Sequence, residues 1–153
     1  MDRATHHPRD LPPLWLLAAL LTVGGLHWFA PLAVVALGPW RTIGMVAAGG
    51  GLLLLLASIV GLRRARTGIR PFSPATALVE RGPFRRSRNP IYLGMVAMVL
   101  GAAIASGSLS PLFVPPLFWW VLDQRFVRRE ERFLRECFGD RYDEYCRRVR
   151  RWL

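Results

Sequence analysis

Two clusters of polar residues interrupt an otherwise apolar chain, and their residue types suggest a binding site. In the first, Arg88-Asn89-Pro90 brings a guanidinium and an amide to the mouth of a predicted helix, with Tyr92 on its first turn. A helix N-terminus presents unpaired N–H groups and a partial positive charge, which favour a carboxylate or a phosphate. Pro90 suits that position because its missing N–H costs little there. In the second cluster, Glu130 and Glu131 are adjacent carboxylates just beyond an apolar stretch. Neighbouring helical residues point about 100° apart, so at most one of the two faces a given ligand. On spacing alone, both glutamates can equally be solvated and paired with Arg128, Arg135 or other neighbours.

The elements that must position these clusters are apolar helices. Residues 14–37 are almost wholly apolar, and at about 1.5 Å per residue they suffice to cross a bilayer core of about 30 Å. The stretch is long and lacks a small-residue cleavage site, so it reads as a retained span. Pro31 is expected to kink or end it. Gly38-Pro39-Trp40-Arg41 reads as an interfacial turn. Residues 43–62 form the clearest span, and their Gly49-Gly50-Gly51 run offers a small face for close helix packing. Arg63-Arg64-Ala65-Arg66 then places this end in the cytoplasm. Residues 63–89 form a Pro-, Gly- and Arg-rich loop, long enough to suggest function.

Residues 90–106 and 109–127 form a helical hairpin turned at Gly107-Ser108. Pro115-Pro116 is expected to bend its second arm. Beyond Val127, charged and apolar residues mix at helical spacing. Gly139 breaks that helix, and Asp140 is expected to cap a final one carrying Tyr142, Tyr145, Val149 and Trp152. The predicted fold is a single all-α integral membrane domain over residues 1–153. It has about four transmembrane helices, both termini on the cytoplasmic side, and a cytoplasmic amphipathic helical extension over residues 128–153.

Composition fits this reading. Hydrophobic residues make up 52% of the 153, yet the isoelectric point is near 11.5. All the basic charge is arginine, and only Arg3, Arg9 and Arg41 of the 21 precede residue 63. Such arginines face anionic headgroups or an anionic ligand, or reflect the positive-inside bias of membrane proteins. They sit between apolar spans, so nucleic-acid binding is not expected. Cys137 and Cys146 lack metal-ligand spacing, and His6, His7 and His27 lack ligand partners in sequence, so no metal centre is expected. Trp119 and Trp120 fit interface anchors or the lining of a substrate tunnel.

Two longer signatures contain the clusters. The first is Gly82-Pro83-Phe84 followed by Arg88-Asn89-Pro90-Ile91-Tyr92-Leu93-Gly94. The second is Glu130-Glu131-Arg132-Phe133-Leu134 followed by Phe138-Gly139-Asp140-Arg141-Tyr142-Asp143-Glu144-Tyr145. In this order, with one helical hairpin between them, they resemble the paired signatures of the isoprenylcysteine carboxyl methyltransferase family and related phospholipid methyltransferases. The resemblance covers roughly residues 76–150. It implies a small helical membrane bundle whose cofactor pocket opens to the cytoplasm and meets a lipid-accessible tunnel. It also implies S-adenosylmethionine as methyl donor, with membrane lipid as a partner. The lipophilic methyl acceptor would be an isoprenylcysteine-type carboxylate, a phospholipid amine or a small isoprenoid.

Carried over by position, the cofactor contacts are Thr76, Ala77, Leu78, Val79, Phe84, Asn89, Pro90, Tyr92 and Glu130, with Glu130 facing the ammonium. Arg88, Tyr92 and Glu131 are the expected catalytic residues, and Arg125 and Trp119 the expected substrate contacts. Asn89 stands where many relatives carry His, and Phe84 where others carry Tyr, so a hydroxyl contact is lost there. Phe126 occupies a position that is arginine in some relatives, with Arg125 beside it. The run from Tyr142 to Val149 also resembles the end of sterol-reductase-type membrane enzymes, which implies a nicotinamide cofactor instead. A non-catalytic membrane scaffold is the third reading.

Overall fold

Prolines and glycines decide where each helix begins and stops. The computed structural model describes residues 11–34, 38–68 and 77–153. Helix α1 (Pro12–Phe29) opens on Pro12 and Pro13 and closes at Ala30, whose backbone has left the helical region. Proline in a first turn gives up no intrahelical bond, whereas the residue before Pro31 is pushed out of helical geometry. The first span is therefore shorter than the expected 14–37, and residues 35–37 lie outside the described residues. Helix α2 (Gly38–Arg64) starts on Gly38-Pro39. The sequence expected to be an interfacial turn is thus its first turn.

Both helices are long and apolar enough to cross a membrane. Leu17, Leu21, Trp28 and Phe29 of α1 and Val46, Leu53 and Leu56 of α2 are exposed. Apolar surface this extensive calls for an apolar surrounding, which places the protein at a membrane.

Helix α3 (Pro90–Ser106) occupies the expected residues and ends on Gly107, whose φ of 70° is a left-handed cap. It is the centre of the bundle. Val99 and Ala103 of α3 are fully buried, in one core with Ala19 and Val23 of α1 and with Phe118 and Leu122. Small residues let α2 lie antiparallel on α3, backbone against backbone. Gly44 meets Gly101 and Ala105, and Gly51 meets Gly94, Ala97 and Met98. Within the Gly49–Gly51 run only Gly51 makes this contact, and Gly49 and Gly50 face open space.

The fourth apolar segment differs from its expected form. Pro115-Pro116 fall in the first turn of α4 (Val114–Leu122), after a 3₁₀ turn at Ser110–Phe113, so they start that helix and do not bend it. The chain then widens into a π turn at Asp123–Val127 and runs without a break into α5 (Arg128–Phe138). Of the four expected spans, α1 and α2 meet the length and composition for crossing, and α3 is apolar but shorter.

Gly139, with φ of 52°, ends α5 and is itself the N-cap of α6 (Asp140–Arg148). Asp140, expected to be the cap, takes the first helical position without a capping bond. Its charge still lies near the positive end of the helix. Tyr142 and Tyr145 are carried by α6 as expected. Val149 is extended, however, and Trp152 lies on the stretch beyond the helix. Tyr142, Tyr145 and Val149 form a small second core with Leu78, Leu134 and Phe138. The stretch after α6 then returns to the start of α3, where the Arg88 N–H donates to the Arg150 carbonyl at 3.0 Å.

Candidate functional site

A cavity of about 340 Å³ lies where the start of α3 meets α5 and α6. Local chain geometry delivers one group at a time to its walls. Gly82, at φ of 61°, opens a 3₁₀ turn (Gly82–Arg85) that buries Phe84 against the cavity. The Tyr145 hydroxyl donates to the Phe84 carbonyl at 2.6 Å and ties that turn to α6. Tyr145→Phe should therefore lower stability by about 1 kcal/mol. Faster amide hydrogen exchange confined to residues 82–86 is the readout.

The mouth of α3 supplies Arg88, Asn89, Pro90 and Tyr92, all of which line the cavity. Asn89 is mostly spoken for within the protein. Its N–H donates to Ser87 Oγ at 3.1 Å and its side-chain amide donates to the Arg151 carbonyl at 3.2 Å. Arg88 points one guanidinium nitrogen to Cys146 Sγ and places another 3.4 Å from Glu131. Its Nε is buried without a hydrogen-bond partner, as is the Tyr142 hydroxyl. Burial pushes the Tyr142 and Tyr145 phenols well above their ordinary range, so both remain neutral donors. Buried polar atoms without partners are uncommon in native proteins and mark places where a ligand can complete the bonding.

The two adjacent glutamates separate as helical geometry requires. Glu130 lines the cavity, and the Tyr92 hydroxyl donates to it at 2.9 Å. Burial pushes the Glu130 carboxyl above the usual carboxylate range, against the stabilising bond from Tyr92. Glu131 turns the other way and does not line the cavity. Both its oxygens are held by Arg151, at 2.7–3.1 Å, and Arg88 stands beside one of them. The catalytic residue expected at Glu131 thus faces Arg151 and Arg88 and stands outside the cavity lining.

Of the remaining expected residues, Ala77, Leu78, Val79 and Phe84 line the cavity together with Pro90. Thr76 lies outside the described residues. Arg125 and Trp119 do not line the cavity. The Arg125 guanidinium sits 5.2 Å above the Trp15 ring, and Trp119 packs at 5.7 Å on Trp152 with 41% of its surface exposed. They project from the π turn and α4 in directions other than Phe126, which is buried and stacked on Tyr92 at 6.2 Å.

Two residues near the site were missed. Asp123 is buried at the start of the π turn, accepting from Arg128 Nε at 2.7 Å and from Trp152 Nε1 at 3.3 Å. Its signal was present in the sequence: an acid inside an apolar segment is costly unless partnered. Arg151 had no such signal among so many arginines. The apolar wall of the cavity also includes Pro12, Ile59, Leu62 and Met95, drawn from three helices.

The chain is similar to an uncharacterized protein of Haemophilus influenzae, at 33% identity over 63 residues, which is 41% of this chain and all of that protein. The sequence profile described as phospholipid methyltransferase matches residues 40–141. This range holds all but the first two residues of α2, and all of α3, the first signature, the π turn and the glutamate pair. The group to which the signatures pointed is thereby borne out, and the chain belongs to the phospholipid methyltransferase family.

Proposed function

We propose that this membrane protein is an S-adenosylmethionine-dependent methyltransferase acting on a lipophilic acceptor. One observation carries the reading. One cavity is lined by Glu130 and by Arg88 and Tyr142, two residues whose buried donors, Arg88 Nε and the Tyr142 hydroxyl, lack partners. The cofactor bears an ammonium, a carboxylate and a sulfonium, and a buried pocket must answer charge with charge or hydrogen bonds. The residues present fit it. Glu130 would hold the ammonium. Arg88 and the free N–H groups at the start of α3 would hold the carboxylate. Leu78, Val79 and Phe84 would flank the adenine.

When bound, S-adenosylmethionine supplies an activated methyl group for in-line displacement on carbon. The chain's own residues align and desolvate. Tyr92, backed by buried Phe126, lines the approach, and Pro12, Ile59, Leu62 and Met95 give the acceptor an apolar wall. An anionic acceptor such as a carboxylate needs no base, because alignment and exclusion of water carry the rate. An amine acceptor must arrive as the free base or lose its proton to solvent, because the Glu130 carboxylate would be engaged by the ammonium. In this reading the chain is a multi-pass protein, with α1, α2, α3 and the 110–127 segment as spans and the cavity on the cytoplasmic side.

Calorimetry on the purified protein in nanodiscs tests the class, with S-adenosylmethionine and NADPH titrated separately. The expected result is micromolar binding of S-adenosylmethionine alone, followed by labelled methyl uptake into a membrane lipid extract. Binding of NADPH alone would move the protein to reduction of an isoprenoid or sterol-like double bond. Binding of neither would favour a scaffold.

A further inference from the structure

We propose that Arg151 is a positioning residue that organises the cavity from behind, joining the two sequence signatures without touching a ligand. Its relevance to the cofactor rests on the methyltransferase reading above, whereas its effect on the cavity wall does not.

The stretch after α6 bonds to the turn before α3, to the π turn and to the first turn of α5. The Arg151 carbonyl accepts from Ser87 Oγ and from the Asn89 side chain, both at 3.2 Å. The preceding carbonyl, of Arg150, accepts from the Arg88 N–H at 3.0 Å. These bonds fix the turn that leads into α3. The Arg151 guanidinium grips Glu131 with Nε at 3.0 and 3.1 Å and Nη2 at 2.7 Å, and its Nη1 stands 3.8 Å from Asp123. The next residue, Trp152, donates to Asp123 at 3.3 Å. One short segment therefore holds the α3 mouth, the start of the π turn and the first turn of α5.

Charge accounting explains why Arg151 matters to groups it does not face. Glu131 and Asp123 are buried acids. Arg128 neutralises Asp123 from one side, and Arg151 lies between the two acids. With Arg151 satisfying Glu131 in a two-pronged grip, Arg88 is only loosely attached to Glu131, at 3.4 Å, and its Nε stays unpartnered beside the cavity. Without Arg151, the buried Glu131 carboxylate has Arg88 as its remaining cation. A buried carboxylate that loses a partner draws in whatever donor remains. Arg88 would be pulled onto Glu131 and out of its cavity-facing pose. Glu130, one residue away on the same turn, would lose the fixed neighbour that sets its direction.

The test uses the full chain in nanodiscs with four variants: Arg151→Gln, Arg151→Lys, Glu131→Gln and the double variant Glu131→Gln/Arg151→Gln. Amide exchange by mass spectrometry reads the cavity wall, and calorimetry reads S-adenosylmethionine affinity. Arg151→Gln should speed exchange at residues 87–92 and leave α1 and α2 unchanged. It should also weaken cofactor binding by about tenfold to a hundredfold, the loss expected for a hydrogen bond to a buried charge. Arg151→Lys, which keeps the charge without the fork, should recover part of both effects. The double variant should lose no more than Arg151→Gln alone, because both changes break one pair. If Arg151→Gln cannot be reconstituted, Glu131→Gln breaks the same pair and must still speed exchange at residues 87–92 by loosening the stretch after α6, without the displacement of Arg88 that needs a charged Glu131.

Unchanged exchange at 87–92, a uniform rise along the whole chain, or additive losses in the double variant would each overturn the proposal. A local exchange response in a protein that binds no S-adenosylmethionine would uphold the positioning role and reject the methyltransferase reading.

Discussion

Glu130→Gln should weaken S-adenosylmethionine binding by roughly tenfold to a hundredfold while the protein stays folded. The amide keeps the shape of the side chain and can still accept the hydrogen bond that Tyr92 now donates at 2.9 Å. Only the charge is lost, and a charge-assisted bond to an ammonium is worth about 1.5–3 kcal/mol. The pH dependence makes the assignment specific. Burial raises the Glu130 carboxyl in the empty protein. A carboxyl raised by folding favours the folded state below its unfolded pKa, and that contribution disappears as pH rises through the native value. An ammonium ligand demands the opposite form, so binding must expel the proton. Affinity should fall about tenfold for each pH unit below the raised value. The ligand's own amine stays protonated up to about pH 8. Calorimetry carried downward from about pH 8 through the Glu130 titration should give a sloping profile for the natural protein. It should be flat for Glu130→Gln and still sloping for Glu131→Gln. Natural affinity in Glu130→Gln, or a flat natural profile, would remove the ammonium role.

The division of labour between these glutamates shows how far the sequence could be read. That only one of two adjacent helical carboxylates faces a ligand follows from the helical turn alone. Resemblance pointed to Glu130, which does line the cavity. The destination of Glu131 was not legible, because its partner Arg151 is 20 residues away in sequence and one arginine among 21. The first signature was legible for a similar reason to Glu130: Gly82, Pro83 and Pro90 each dictate local backbone, and their neighbours follow. Helix ends were read less well near prolines. Pro39 and Pro115-Pro116 look like breakers in a hydropathy pattern, yet a first turn tolerates them, so each begins a helix. The π turn leaves no hydropathy signal. It nevertheless fixes which way Arg125, Phe126 and the glutamates point, so that Arg125 meets Trp15 while Phe126 stacks on Tyr92.

Gly101→Val should destabilise the protein far more than Gly50→Val, although both replace a glycine in an apolar helix. A Cβ on Gly101 would lie 2.4 Å from the Ala48 nitrogen and 2.5 Å from the Gly44 carbonyl oxygen. These are backbone atoms of α2, which cannot swing aside as a side chain can. Relief requires the two helices to separate, and the contacts of Gly44 with Ala105 and Gly51 with Gly94 would open with them. Overpacking a core usually costs about 1–3 kcal/mol, with larger losses where nothing can yield. Gly50 has nothing within 4 Å of the same added atom. Its substitution even gains helix propensity over glycine. Thermal unfolding in detergent, followed by loss of the monodisperse peak, should show a large drop for Gly101→Val and little change for Gly50→Val. Cofactor binding should fail with the former as well. The α2 residues Ile59 and Leu62 form part of the cavity wall, and α2 is held to the bundle mainly along this glycine seam. Equal stability of the two variants would mean that α2 does not seat on α3 through these glycines. The apolar wall assigned to the methyl acceptor would then have to be built from other residues.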